Sequence, residues 1–321
     1  MSELDDLFSG NLDNKMDFLT EQKTSTNDGI YKVDLSKVKD KKKGWRSVVR
    51  FLPNLTPEGK LGQSAIEKIS HYVDIKQEKE LSGYFDSPKN FGEKCPLTDL
   101  YYTMLNSKNA ILVEKAKQLK YSKKYFSYIL VIEDEQQPEL VGKILVYQYG
   151  KTIKDKILAE KNGDISGEPC NVFDITKGKD FVIVAKEIQT GDETYPDYKN
   201  SMFKPNTSTL SLYSKDKQTF KNVPLNDEGK IDPSIQAKVK DFLTDREVEL
   251  EDFAPKKLEE KDFAKINEIT AFLTGKTSSS FASKQSEVTS SDLGFDEDMT
   301  TGSESKVSSG STDEDDFFDD F

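Results

Sequence analysis

Tyr125-Phe-Ser-Tyr-Ile-Leu-Val-Ile132, followed after a loop by Lys143-Ile-Leu-Val-Tyr-Gln-Tyr149, is the stretch on which the fold turns. Aromatic and β-branched residues dominate both segments, as they do in strands, and the intervening loop 133–141 lets the chain reverse into an antiparallel pair. Alternation along the first strand sets Phe126 and Tyr128 on one face, Tyr125 and Ser127 on the other. Upstream, Ser47-Val-Val-Arg-Phe-Leu52 reads as a strand that stops at Pro53 and Pro57. Downstream, residues 152–161 read as a helix with apolar Ile153, Ile157 and Leu158, stopped by Asn162-Gly163. Asp180-Phe-Val-Ile-Val-Ala-Lys-Glu-Ile188 is a further strand, ended by Gly191. Several strands with one interrupting helix predict an α+β, mainly β fold, a small barrel with elaborations.

Past Pro205 the apolar residues recur three or four apart, over 232–243 and again over 258–273, so two helices are expected, the second stopped by Gly275. From Thr277 onward Ser, Thr, Gly, Asp and Glu dominate. The chain therefore divides into a flexible arm over 1–29, a folded core over 30–275 with C-terminal helices from about 230, and a disordered acidic tail over 276–321. Asp13 to Gln22 could form a turn or two of helix within the arm.

The net charge of -12 conceals an asymmetry. Residues 287–321 carry twelve acids against Lys306 alone, which leaves residues 1–286 near neutrality. Within that body, Lys32 to Arg50 holds eight basic residues and two acids, and Lys115 to Lys124 holds five lysines and no acid. Two cysteines, Cys95 and Cys170, build no disulfide framework and fit a reducing cytoplasm. Neither a membrane-length apolar run nor a signal segment is evident, so a soluble protein is expected.

Catalysis is hard to assemble from these residues: one histidine, His71, and no Gly-rich phosphate loop. The strongest constellation is lysine interleaved with aromatics. Lys115, Lys117, Lys120, Lys123 and Lys124 run into Tyr125 and Phe126; Tyr147 and Tyr149 follow on the partner strand, then Lys151. Tyr195, Tyr198 and Phe203 lie in a polar segment that should not bury them all. Cations that neutralise phosphates beside rings on which bases stack are what a single strand requires. The expected ligand is single-stranded DNA; RNA is compatible with the same groove, and a protein-interaction hub is the competing reading. In the tail, Asp315, Asp316, Phe317, Phe318 and Phe321 join negative charge to aromatic rings, which suits contact with protein partners and competition for the basic groove.

An ordered set of segments resembles the helix-destabilising single-stranded DNA-binding proteins of T-even-type tailed bacteriophages. They are Val48-Val-Arg-Phe-Leu-Pro53, His71 with Cys95-Pro96, Tyr128-Ile-Leu-Val-Ile-Glu-Asp134, Gly142-Lys-Ile-Leu-Val-Tyr-Gln-Tyr-Gly-Lys151, Ile153-Lys-Asp-Lys-Ile157, Phe181-Val with Tyr198 and Phe203, and the acidic terminus. The resemblance implies an oligonucleotide-binding (OB) fold with a basic, aromatic-lined cleft. It also implies a role in phage replication, recombination and repair, in the cytoplasm of an infected bacterium, with replication and recombination proteins recruited by the tail. Tyr125, Phe126, Tyr147, Tyr195 and Tyr198 would line the cleft, and Lys120 and Lys151 would meet phosphates. Two departures stand out. The family's zinc site takes one histidine and three cysteines, whereas here His71 and Cys95 remain, Thr98 replaces a ligand, and no cysteine lies between them. No zinc is expected, with Tyr84, Phe85 and Phe91 packing in its place. The family's arm is basic; here it is acidic, which predicts either weak self-association along DNA or a shift of that role to Lys37–Lys43.

Overall fold

The computed structural model describes residues 8, 29–75, 78–165, 167–190 and 193–275. Its axis is β5, Leu119–Asp134, a single strand of 16 residues. At roughly 3.3 Å per residue it runs for about 50 Å, long enough to belong to two layers of structure. Its first half pairs antiparallel with β3 (Ile66–Val73), which in turn pairs with β4 (Gly83–Asp86). Its last residues pair with β2 (Trp45–Phe51), while β6 (Ile144–Tyr149) pairs with residues 125–130 on the other edge. β2 continues to β7 (Asp180–Thr190), which carries β8 (Glu193–Asp197) and β9 (Met202–Phe203); β1 (Ile30–Tyr31) adds to β6 in parallel. A separate hairpin, β10 (Ser211–Ser214) with β11 (Thr219–Asn222), follows.

The path β1-β6-β5-β2-β7-β8 is open, and no pairing among the described residues closes it. The expected barrel is thus corrected to an open sheet whose pairings among the described residues are antiparallel apart from the short β1 with β6. Closure would need a long strand opposite β6, and β1 offers only two residues. Five α-helices complete the described part: α1 (Pro96–Leu105), α2 (Ala110–Ala116), α3 (Lys151–Asn162), α4 (Gln236–Thr244) and α5 (Glu260–Thr274). None of the described helices is long and apolar enough to cross a membrane. α3 ends where its sequence says, at Gly163 in the left-handed region (φ 77°). α5 opens on a capping box between Glu259 and Asp262 and stops at Gly275.

Three apolar clusters result. One lies between the layers of the main sheet and α3, filled by Tyr31, Trp45, Phe51, Tyr125, Tyr147, Tyr149, Phe173, Phe181 and Phe203 among others. The second lies on the reverse of β5 and β6, where Phe126, Tyr128 and Val146 meet Val239 and Leu243 of α4 and Leu250 and Phe253. The third forms a lobe in which β3, β4 and the start of β5 pack on α1, α2 and α5 through Val73, Phe85, Leu97, Met104, Leu119 and Ile269. Arg50 is enclosed within this framework; its guanidinium donates to the carbonyls of Asp174 (2.8 Å) and Ser208 (2.7 Å) and pairs with Asp180. A buried, multiply bonded guanidinium of this kind fixes strand β2 against the loop before β7 rather than meeting solvent phosphate.

Phe8 is buried in the second cluster, and its carbonyl accepts the Ile231 amide at 3.0 Å. The arm expected to be flexible therefore docks at this residue, because a phenylalanine side chain gains more by burial than the local chain loses in freedom. The helical turns expected over 13–22 and the tail 276–321, including Asp315, Asp316, Phe317, Phe318 and Phe321, lie outside the described residues.

Candidate nucleic-acid interface

The two faces of β5 have different neighbours. On the face that looks toward α3, Tyr125 stacks on Tyr149 (ring centroids 5.8 Å, planes 21° apart). Lys123 Nζ and Lys154 Nζ each sit 6.0 Å from the Tyr125 centroid, from opposite sides of the sequence. Cations this close to an aromatic face are attracted by its quadrupole, so the ring holds both ammoniums in place. Lys123 is also paired with Glu67 of β3 at 2.8 Å, and Lys154 with Asp155 at 3.2 Å. Lys151 begins α3, whose first turn contains no acid. Two lysines in the first turn of a helix oppose its dipole, and an anion placed there relieves both unfavourable terms. Nearby, Lys156 Nζ donates to the Lys199 carbonyl at 3.1 Å, which ties α3 to the segment carrying Tyr198. Tyr198 is half-buried against the inner cluster, and Tyr195 is half-buried on β8 opposite Ile188.

The remaining expected stacking residues lie elsewhere. Tyr125, Phe126, Tyr147, Tyr149 and Phe203 are all buried, so as placed they give a base no open ring face. Tyr147 is enclosed by Tyr31, Tyr149 and Tyr198; burial drives its phenol pKa well above the ordinary 10, and its hydroxyl has no hydrogen-bond partner. Tyr149 is likewise raised, by burial, although Ser127 bonds its hydroxyl at 2.9 Å. Phe126 stacks on Phe253 in the second cluster (5.1 Å). Alternation was read correctly, but it implied one solvated face, and both faces of this part of β5 are covered.

The lysine run is also divided. α2 ends at Ala116 and β5 begins at Leu119, so Lys115 and Lys117 lie on the helical side of the lobe. Lys115 Nζ donates to the Leu273 carbonyl (3.1 Å) at the end of α5, and Lys117 pairs with Glu114 (2.9 Å) one turn back on α2. Neither is brought to Tyr125. Lys120 and Lys124 occupy register positions opposite Tyr72 and Lys68 on β3, an odd number of residues from Lys123 and so at the other phase of the strand's alternation. Lys154 and Glu67 belong to the site, and Glu67 has no role in the sequence reading. The signal for Glu67 was period-two alternation in Ile66–Val73, obscured there by Glu67, Lys68, Ser70 and His71.

The lobe's histidine settles how a metal would fare. His71 is fully buried, its Nε2 lies 2.9 Å from Thr98 Oγ1, and its Nδ1 has no hydrogen-bond partner among the described residues. Burial, with the Lys89 charge adding to it, lowers its pKa from 6.5 to about 4. Cys95 is buried as the residue that caps α1. Among the described residues no three His, Cys, Asp or Glu side chains are grouped to hold a metal ion. A structural zinc needs four good ligands, and a threonine hydroxyl already bonded to the histidine is not one. The residues present do not fit zinc. Phe85 fills the lobe as expected, whereas Tyr84 is exposed and Phe91 only half-buried under Lys257 (5.4 Å).

A single-stranded DNA-binding protein of Enterobacteria phage T4 is 30% identical over 162 residues, covering 48% of this chain and 50% of the phage protein. The single-stranded DNA-binding protein of Enterobacteria phage T2 is also 30% identical over 162 residues, 48% of this chain and 49% of its own length. The match thus spans about half the length of these relatives. The family described as gp32 DNA binding protein like matches residues 43–273, which take in the main sheet, the lobe and the C-terminal helices. The chain belongs to the gp32 DNA binding protein like family.

Proposed function

We propose that this protein binds single-stranded DNA without sequence preference, and is a binding protein rather than an enzyme. The observation that carries the reading is Tyr125 with the Lys123 and Lys154 ammoniums each 6.0 Å from its ring centroid, beside the start of a helix with Lys151 in its first turn. Lys123, Lys151 and Lys154 would meet phosphates, and Tyr195 and Tyr198, half-buried at the margin, would stack bases. The open sheet is read as an OB fold whose inner cluster is packed with aromatics. In this reading the protein coats single strands during phage replication, recombination and repair in the host cytoplasm. Its acidic tail competes for the cleft and recruits replication proteins, and the lobe folds without zinc.

The test is affinity for a short oligonucleotide across a salt series, for the full chain and for a form ending at Ser286. Single strands should be bound in preference to duplex, with affinity falling steeply with salt. Removing the tail should raise affinity at low salt. Equal affinity for duplex and single strand would refute the reading, and an unchanged low-salt affinity would refute the competition.

A further inference from the structure

The back of the lobe sheet carries a second set of rings and cations that the site around Tyr125 does not use. Tyr72 and Tyr84 are direct cross-strand partners on β3 and β4, so both side chains stand on one face. They are 47% and 56% exposed, which sets them apart from the buried tyrosines of the main sheet. Lys68 Nζ lies 5.5 Å from the Tyr84 centroid, and Ser70 on the same face bonds Ser122 of β5 at 2.9 Å. The Tyr84 hydroxyl, raised to about 12 by burial of its oxygen end, is held by Ser70. The register adds Lys124 opposite Lys68. Asp86 on this face pairs with Lys68 (3.0 Å) and accepts the Lys256 amide (2.7 Å). The face therefore presents two exposed rings with lysines beside them.

It is joined to the front by the edge of β5 that β3 does not occupy. Among the described strands, β5 pairs over residues 119–124 with β3, and β6 begins pairing at Tyr125. Lys123 and Lys124 are consecutive across that edge, one for each face. We infer that a single strand leaving the Lys123–Tyr125–Lys154 site crosses this edge and continues on the back of the lobe, with bases stacked on Tyr72 and Tyr84. The inference rests on the single-stranded DNA reading and adds a second subsite to it. Lysines beside exposed rings favour a strand that carries both phosphates and bases over an apolar partner, and two rings side by side favour bases over a mere phosphate.

Two oligonucleotides separate the subsites: one of about 6 nucleotides, which fills the front alone, and one of about 20, which reaches the back. The sole tryptophan, Trp45, is fully buried, so Tyr84→Trp introduces the one indole open to a ligand. Its emission should be quenched by the long oligonucleotide and not by the short one. The double variant Tyr72→Ala/Tyr84→Ala should lose at least about fivefold in affinity for the long oligonucleotide, the loss of one stacking contact at the low end, and nothing for the short one. Unquenched emission, unchanged long-oligonucleotide affinity, equal loss for both lengths, or loss of self-association alone would each overturn the second subsite. Failure of the native protein to bind either length would instead overturn the DNA reading itself.

Discussion

His71 is a neutral imidazole with a pKa near 4, set by burial and by Lys89, against 6.5 when the chain is unfolded. Between those values the unfolded state binds a proton that the folded state refuses, so stability falls as pH drops through that window and is full above it. The slope should approach about 1.4 kcal/mol per pH unit. Urea midpoints measured from pH 7 to 4 should fall more steeply for the native protein than for His71→Gln. Little of this was legible in the sequence, where a lone histidine and a lone cysteine read as remnants of a metal site. What Thr98 does, bonding Nε2 at 2.9 Å, is a three-dimensional fact that spacing along the chain does not reveal. Tyr147 and Tyr149 failed for a related reason. Sequence marks a ring as aromatic and on a strand, but whether a second layer covers it depends on segments distant along the chain, such as those carrying Phe173, Phe181 and Tyr31.

At the scale of elements, β2, β6, α3 and β7 were legible because each carries a strong apolar period and a clear stop. β3, β4, α1 and α2 were not, since their apolar residues face one shared lobe and are interleaved with charge. That lobe holds together through apolar contacts, the His71–Thr98 bond and the Lys68–Asp86 pair. Its unfolding midpoint should accordingly be the same with a strong chelator as with equimolar zinc, read by calorimetry; a rise with zinc would show a metal site. The arm supplies a second test. Phe8 is buried among residues of the second cluster, so Phe8→Ala should lower stability by up to about 3 kcal/mol. Denaturant unfolding measures it, and an unchanged midpoint would mean that the arm contributes nothing to the fold.

For the molecule as a whole, the division of charge was the feature most legible from sequence: an acidic terminus and a near-neutral body with concentrated lysines. Structure redistributes those lysines. Lys115 and Lys117 brace α2 and α5, Lys123 and Lys154 bracket Tyr125, and Lys68 and Lys124 face the other way. One continuous run in sequence becomes three separate locations, because a helix-to-strand junction and a period of two intervene. The seating of Phe8, with its carbonyl on the Ile231 amide, also changes how the N-terminal arm should be studied. A deletion that starts the chain at residue 30 removes a plug from the hydrophobic interior together with the arm, so any loss of cooperativity in such a truncation mixes two causes. Charge reversals confined to residues 9–28 leave the plug in place and isolate the arm's own contribution.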